Sequence, residues 1–225
     1  MRAMFGLDNT PHPISWALAF GDIMHKACGA WAKGKDWQEA FEKRYEQYAR
    51  RNVPSQRLWN GEFQGQQDGV VLRAMGLSLM KEYISTIKGK PLADSIELQL
   101  SRDLGDGIIL TGKVDCIWTG GTIVDWKAVS SPKYLSKIQA LIYAILSGGP
   151  SPFEFHAFIK GRQPYCDQVL IEETMKQENL DRVIEHFIKP IARQIQAGIF
   201  PAMPGEYLCS EEYCGYWDAC EGRLM

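Results

Sequence analysis

The sequence predicts an α/β fold, with a mixed, largely antiparallel sheet and helices around it. Three observations predict it. Apolar residues recur at helical spacing through most of residues 14–88. Short alternating strands bounded by Gly and Pro turns then run through 95–172, with one helical stretch among them, and helical spacing returns from Thr174. No internal repeat, low-complexity tract or flexible linker interrupts this order. The expectation is therefore one domain over 1–225, made of a helical region (14–88), a sheet with its helix (94–172), a long helix (174–198) and a cysteine-bearing tail (199–225).

Each element has a local reason. Ile14 to Gly34 and Asp36 to Arg51 read as two helices joined at Gly34, the first apolar at Leu18, Phe20, Ile23, Met24 and Ala27 and the second heavily charged. Gln64 to Lys88 is a longer helix, with Val71, Met75, Leu79, Tyr83 and Ile87 stepping by four, stopped by Gly89 and Pro91. Ser95 to Arg102 and Gly107 to Trp118 alternate as strands, and Thr122 to Lys127 follows a Gly120-Gly121 turn signal. A helix is expected from Pro132 to Leu146, then strands at Phe153 to Lys160 and Gln168 to Glu172. Thr174-x-x-Gln177 reads as a capping box. It opens a helix striped by Leu180, Val183, Ile184, Phe187, Ile188, Ile191 and Ile195 and bent at Pro190.

Composition bounds the function. At 225 residues, 45% apolar and 23% charged, the chain can bury a full core and is neither disordered nor a coiled coil. Twenty-five basic against 27 acidic side chains give a net charge of −2. That balance excludes binding by overall basicity but not a local basic groove. Residues 1–20 lack the apolar core of a signal peptide, and no stretch is long and apolar enough to span a bilayer. A cytoplasmic, thiol-reducing setting without membrane attachment is expected. There, three of six cysteines crowded into the last seventeen residues suggest metal ligation over disulfides.

The chemistry concentrates in two short segments, Gly112-Lys113-Val114-Asp115 and Ile123-Val124-Asp125-Trp126-Lys127. Asp125 and Lys127 are two apart on a strand and share a face. Paired with Asp115 across a hairpin, Asp125 could complete an oxygen site for a hard divalent cation. That pairing needs an odd loop, Thr119-Gly120-Gly121, because directly opposed residues share a face and only an odd loop sets Asp115 opposite Asp125. Gln139 and Tyr143 share a face of the next helix, and Gly21 and His25 share a face of the first. Gly21 would permit close approach there, and His25 offers an imidazole.

In this order the residues resemble the RecB-like branch of the PD-(D/E)XK nuclease superfamily. The matching text is Ala19-Phe20-Gly21-Asp22-Ile23-Met24-His25, the two segments above, and Gln139-Ala140-Leu141-Ile142-Tyr143. The resemblance implies a restriction-endonuclease-like core and a metal-dependent phosphodiesterase. It implies His25, Asp115, Asp125 and the Trp126 carbonyl as ligands of Mg²⁺ or Mn²⁺, and Lys127 beside the attacking water. Gln139 and Tyr143 would position the lysine or the scissile strand. Glu97, read as part of the preceding strand, is either an outer carboxylate or a surface residue.

Cys209-x4-Cys214-x5-Cys220 resembles the C-terminal cysteines that, with one N-terminal cysteine, hold a [4Fe–4S] cluster in many of these nucleases. The chain departs from that pattern in its first interval, commonly x2. It departs again in having no cysteine upstream of the Gly-x-x-x-His helix, where Cys28 is the sole N-terminal candidate. A cluster, a Zn²⁺ site and no metal at all stay open. Cys116 and Cys166 read as core or strand thiols. Arg44, Arg50, Arg51 and Arg57, interleaved with Tyr45, Tyr48 and Trp59, form a candidate DNA wall, with Lys160 a further contact.

The expected activity is hydrolysis of DNA by a metal-dependent exonuclease in recombination, repair, or phage or CRISPR DNA processing. Implied partners are DNA and a helicase, recombinase or CRISPR adaptation protein, in host cytoplasm if the gene is phage-borne. The alternatives are a structure-specific or nicking endonuclease, and a catalytically silent DNA-binding or assembly subunit of the same fold.

Overall fold

The computed structural model describes residues 16–50, 67–87 and 95–199. The chain divides into two compact units, Ile14–Ile188 and a second formed by Met1–Pro13 with Lys189–Met225. The first is an α/β unit in which a mixed sheet is flanked by helices. In the second, the described part is helix α6 (Lys189–Gln196), followed by a turn.

Three helices open the first unit: α1 (Trp16–Ala32), α2 (Trp37–Ala49) and α3 (Gln67–Thr86). Helix α1 ends at Gly34, whose φ of 66° suits the left-handed cap. Asp36 then caps α2 by accepting from the backbone N–H of Gln38 and Glu39 at 2.8 and 3.1 Å. Phe20, Ile23, Met24, Phe41, Leu79, Met80 and Tyr83 bury the faces these helices share.

Strands β1 (Leu98–Asp103) and β2 (Ile109–Val114) form an antiparallel pair of their own. Strands β3 (Cys116–Ile117), β4 (Ile123–Val129), β5 (Phe153–Ile159) and β6 (Tyr165–Leu170) form a four-stranded sheet in that spatial order. In it β4 and β5 are parallel and the other pairs antiparallel. The parallel pair requires a crossover, supplied by α4 (Lys137–Leu146). Alternation then sorts the sheet's faces. Val124 and Trp126 pack with α1 and α3, whereas Ile123, Phe153 and Phe155 pack beneath Ala140 and Tyr143 of α4.

Several elements differ from their sequence expectations. The strand read across 107–118 is broken by a bend at Asp115, so β2 and β3 belong to different sheets. β1 begins at Leu98, which leaves Glu97 in a turn at φ 58°. The helix expected from Pro132 is a single 3₁₀ turn, Pro132–Tyr134, before α4. β6 starts earlier than expected, at Tyr165. No capping box forms at Thr174. Its buried hydroxyl donates to the Ile171 carbonyl at 2.7 Å within a 3₁₀ turn, and α5 (Gln177–Val183) starts one turn later. The apolar stripe is then broken by a π turn over Ile184–Ile188. The wider turn shifts the helical phase, so Leu180, Val183 and Ile188 are buried while Phe187 is exposed.

Candidate active site

Asp115 and Asp125 meet because the β3–β4 loop is odd. The register Cys116↔Val124 and Ile117↔Ile123, closed by Trp118 and Thr122 around Thr119-Gly120-Gly121, carries Asp115 to the position opposite Asp125. The bend at Asp115 frees its carboxylate to turn back onto β4, where Oδ2 accepts the Trp126 backbone N–H at 2.9 Å. Nδ1 of His25, projecting from α1, lies 3.5 Å from the same oxygen.

Asp125 is 1% exposed, deep for a carboxylate. Its Oδ1 accepts from Gln139 Nε2 at 3.1 Å, and the same amide nitrogen reaches the Tyr143 hydroxyl at 3.4 Å. Lys127 Nζ lies 2.9 Å from Oδ2. The ammonium is close but off the hydrogen-bonding direction, and among the described residues no hydrogen bond is directed at that buried oxygen. Burial, and then the charge of Asp115, raise the Asp125 pKa above the usual carboxylate range, with Lys127 opposing them. Burial pulls His25 down, but its hydrogen bond to Asp115 and the Asp115 and Asp125 charges carry it above the ordinary histidine value.

The arrangement is held from behind by a buried hydrogen-bonded chain that sequence reading missed. Trp126 Nε1 donates to the Tyr83 hydroxyl at 2.9 Å, and that hydroxyl lies 2.7 Å from His156 Nδ1. His156 Nε2 is 3.1 Å from Glu154 Oε2. The trio draws on α3, β4 and β5, and no periodicity links residues so far apart in sequence. Gly112 has a second unpredicted role, since a Cβ there would stand 2.6 Å from Leu146 Cδ1, where β2 crosses α4. Gly21 meets no protein atom within 4 Å of a built Cβ; it lines open space where close approach was expected.

The structure therefore brings His25, Asp115, Asp125, Trp126, Lys127, Gln139 and Tyr143 into one connected group. Among the described residues, no three His, Cys, Asp or Glu side chains stand close enough to form a ready-made metal cage. The donor chemistry still fits a hard cation. His25 and Asp115 line one pocket, and the desolvated Asp125 Oδ2 receives no hydrogen bond among the described residues. Within the group, His25 and Lys127 occupy the carboxylates a cation would engage.

The other sequence candidates lie elsewhere. Arg44 ties α2 to Asp22 of α1 and also reaches Gln47 and Tyr48. Arg50 pairs with Glu46 at 2.9 Å on α2. Lys160 is partly buried with its ammonium 5.5 Å above the Phe20 ring, and desolvation lowers its pKa to about 8. Arg51, Arg57, Cys209, Cys214 and Cys220 lie outside the described residues. Cys28 is 0% exposed and donates to Met80 Sδ at 3.6 Å, with its pKa pushed well up by burial.

No family model and no curated protein matches the chain. Among solved structures, the chain is similar to a crystal structure from Eubacterium rectale named a "putative exonuclease". The TM-score is 0.57 and the identity 13%, over 97% of this chain and 79% of that one. The likeness is one of fold. A second crystal structure, of SSO0001, is 14% identical over 100% of this chain and 94% of that one, but at a TM-score of 0.43 it carries no argument. Among the described residues no helix is long and apolar enough to cross a membrane.

Proposed function

We propose that the chain is a divalent-metal-dependent DNA nuclease of the PD-(D/E)XK type, RecB-like in its motifs and acting as an exonuclease. One observation carries the reading. Asp125, a buried and desolvated carboxylate, is clasped between Lys127 and Gln139 opposite a second carboxylate, Asp115, itself paired with His25. A purely structural role accounts poorly for a carboxylate whose ionisation is made costly by burial and then by the charge of a neighbouring carboxylate. The fold likeness to a protein named an exonuclease agrees with the reading.

His25, Asp115, Asp125 and the Trp126 carbonyl would hold Mg²⁺ or Mn²⁺. The ion, when bound, lowers the pKa of a coordinated water and polarises the phosphoryl oxygen. Lys127 places a fixed positive charge at the buried mouth, where negative charge develops on the phosphorus oxygens. Gln139 fixes the orientation of Asp125 through Oδ1, and Tyr143 orients that amide in turn. The Trp126 N–H bond locks Asp115 in the direction His25 requires.

The test is degradation of end-labelled linear, circular single-stranded and circular duplex DNA with Mg²⁺ or Mn²⁺, with Asp125→Ala as control. Loss of linear DNA alone supports an exonuclease, and cleaved circles would redirect the reading to an endonuclease. Activity that survives in Asp125→Ala, or no metal-dependent activity on any substrate, refutes it.

A further inference from the structure

Beside His25 and Asp115 lies a pocket of about 310 Å³, also lined by Gly21, Lys26, Glu97 and Lys113. It is of a size to admit a small ligand or one unit of a larger one. Its charge is uneven. Lys26 Nζ and Lys113 Nζ stand 3.3 and 3.1 Å from Glu97 Oε1, and Lys33 Nζ stands 3.8 Å from Oε2. Three ammonium groups, one from α1, one from the turn that follows it and one from β2, thus share one carboxylate. The other acids at the pocket are already matched, Asp22 by Arg44 and Asp115 by His25.

Stability does not explain the trio. Exposed ion pairs contribute little, and crowding three like charges around one opposite charge adds repulsion. Glu97 itself sits at φ 58°, a left-handed backbone that L-residues with a Cβ adopt at a cost. Its N–H donates to the carbonyl of Asp115 at 2.7 Å, which fixes the turn directly to the carboxylate strand. Lys26 lies on α1 and Lys33 in the turn just after it, and both reach the Glu97 carboxylate.

We propose that Lys26, Lys33 and Lys113 form a binding site for a phosphate group of the nucleic-acid strand, next to the carboxylates that cut it, with Glu97 as the built-in anion that keeps the three ammonium groups gathered. The proposal rests on the nuclease reading for the identity of the ligand. The incoming phosphate takes up the positive charge in excess of Glu97, and Gly21 leaves the wall beside it without a side chain. Engagement here sets which phosphodiester reaches Asp125 and Lys127, so the lysines act on substrate placement.

The experiment measures binding without turnover. Anisotropy of a 3′-fluorescein oligonucleotide in EDTA is recorded over a range of salt for the wild type, Lys26→Gln/Lys113→Gln and Glu97→Gln. The double variant is expected to bind about tenfold more weakly, with a log–log salt slope reduced by about 0.7–0.9 per lysine removed. Glu97→Gln is expected to bind severalfold more tightly, a gain that no folding defect imitates. Lys26→Arg/Lys113→Arg should recover binding, and in cleavage assays the Gln double variant should lose more in KM than in kcat. Competition by 5′-phosphorylated, 5′-hydroxyl and circular strands identifies the phosphate. A loss confined to the 5′-phosphorylated strand marks a terminal monoester, and an equal loss on all three marks an internal diester.

A double variant that binds within twofold of wild type with the same salt slope overturns the site. Lysine-dependent binding without Asp125-dependent cleavage upholds the site and removes the nuclease reading. Asp125-dependent cleavage with lysine-independent binding does the reverse.

Discussion

At Asp125 the fold confines a carboxylate beside Asp115 and answers it with one amide and one ammonium, so the roles of its neighbours separate experimentally. Gln139→Ala removes the 3.1 Å hydrogen bond that Asp125 Oδ1 accepts and leaves the charge in place. It is expected to lower metal-dependent cleavage about 10–100-fold, the usual cost of losing a group that orients a metal-binding side chain. Equal rates for Gln139→Ala and wild type at saturating metal would remove that role. Lys160 presents the opposite situation, a cation with its charge held out of water above Phe20. Its pKa falls from 10.5 to about 8 through burial alone. The unfolded chain therefore binds more protons between pH 8 and 10.5, and wild-type stability gains from this residue only as pH rises through that window. Below pH 8 the ammonium destabilises the fold by a constant amount, so Lys160→Met should melt higher at pH 7, with the difference shrinking toward pH 10.5. A gap that stays flat across that range contradicts the buried-charge account. Asp125, Lys127, Gln139 and Tyr143 were legible in the sequence because strand and helix periods place each pair on one face. The pairing of Arg44 with Asp22 was not legible, because Asp22 lies on another helix and spacing within α2 says nothing of it.

The elements that position the site depend on close approaches and on buried polar contacts across the layers. Helix α3 passes Phe41 and Phe20 at Gly76, where a Cβ would stand 2.7 Å from the first ring and 3.0 Å from the second. Both rings are fully buried, so Gly76→Ala must displace them, and overpacking of this kind costs about 1–3 kcal/mol. Urea unfolding should show that loss, and an unchanged midpoint would mean α3 shifts freely. Tyr83→Phe, two turns further along the same core face, leaves the Trp126 indole N–H and His156 Nδ1 without their common partner. A buried group left unsatisfied costs about 1–3 kcal/mol. Because Trp126 lies between Asp125 and Lys127, cleavage should fall beyond what the lost stability explains when assayed well below the melting temperature. Activity that tracks only the folded fraction would reduce Tyr83 to a core residue. These features escape a one-dimensional reading for a common reason. Gly76 and Tyr83 fit the helix period of α3 whether or not a ring or an imidazole faces them, and Thr174 fits a capping box whether or not Ile171 claims its hydroxyl.

At the scale of the molecule, the central organisation was legible and the joins were not. The order of helices and strands, the odd β3–β4 loop and the mixed sheet follow from periodicity and turn residues. The separation of β1–β2 from the four-stranded sheet hinges on a bend at Asp115, and only three-dimensional packing decides whether a strand bends there. That bend also lets Asp115 serve both Trp126 and His25, so the split of the sheet and the assembly of the site are one event. The fold thus holds two carboxylates in mutual repulsion, and a divalent cation bound between them would relieve it. Metal should therefore bind the folded chain far better than the unfolded one and raise its melting temperature. At a metal concentration near 100 times Kd the linkage is worth about 2.7 kcal/mol. For a protein of this size that corresponds to roughly 5–10 °C. Thermal unfolding with and without Mn²⁺ should show such a rise in wild type and little or none in Asp115→Asn or Asp125→Asn. The asparagine variants keep the side-chain shape and remove the charge, so the comparison isolates the carboxylate pair from general salt effects. An equal rise in all three proteins would place the ion elsewhere, and no rise in wild type across millimolar metal would remove the carboxylate pair as its site.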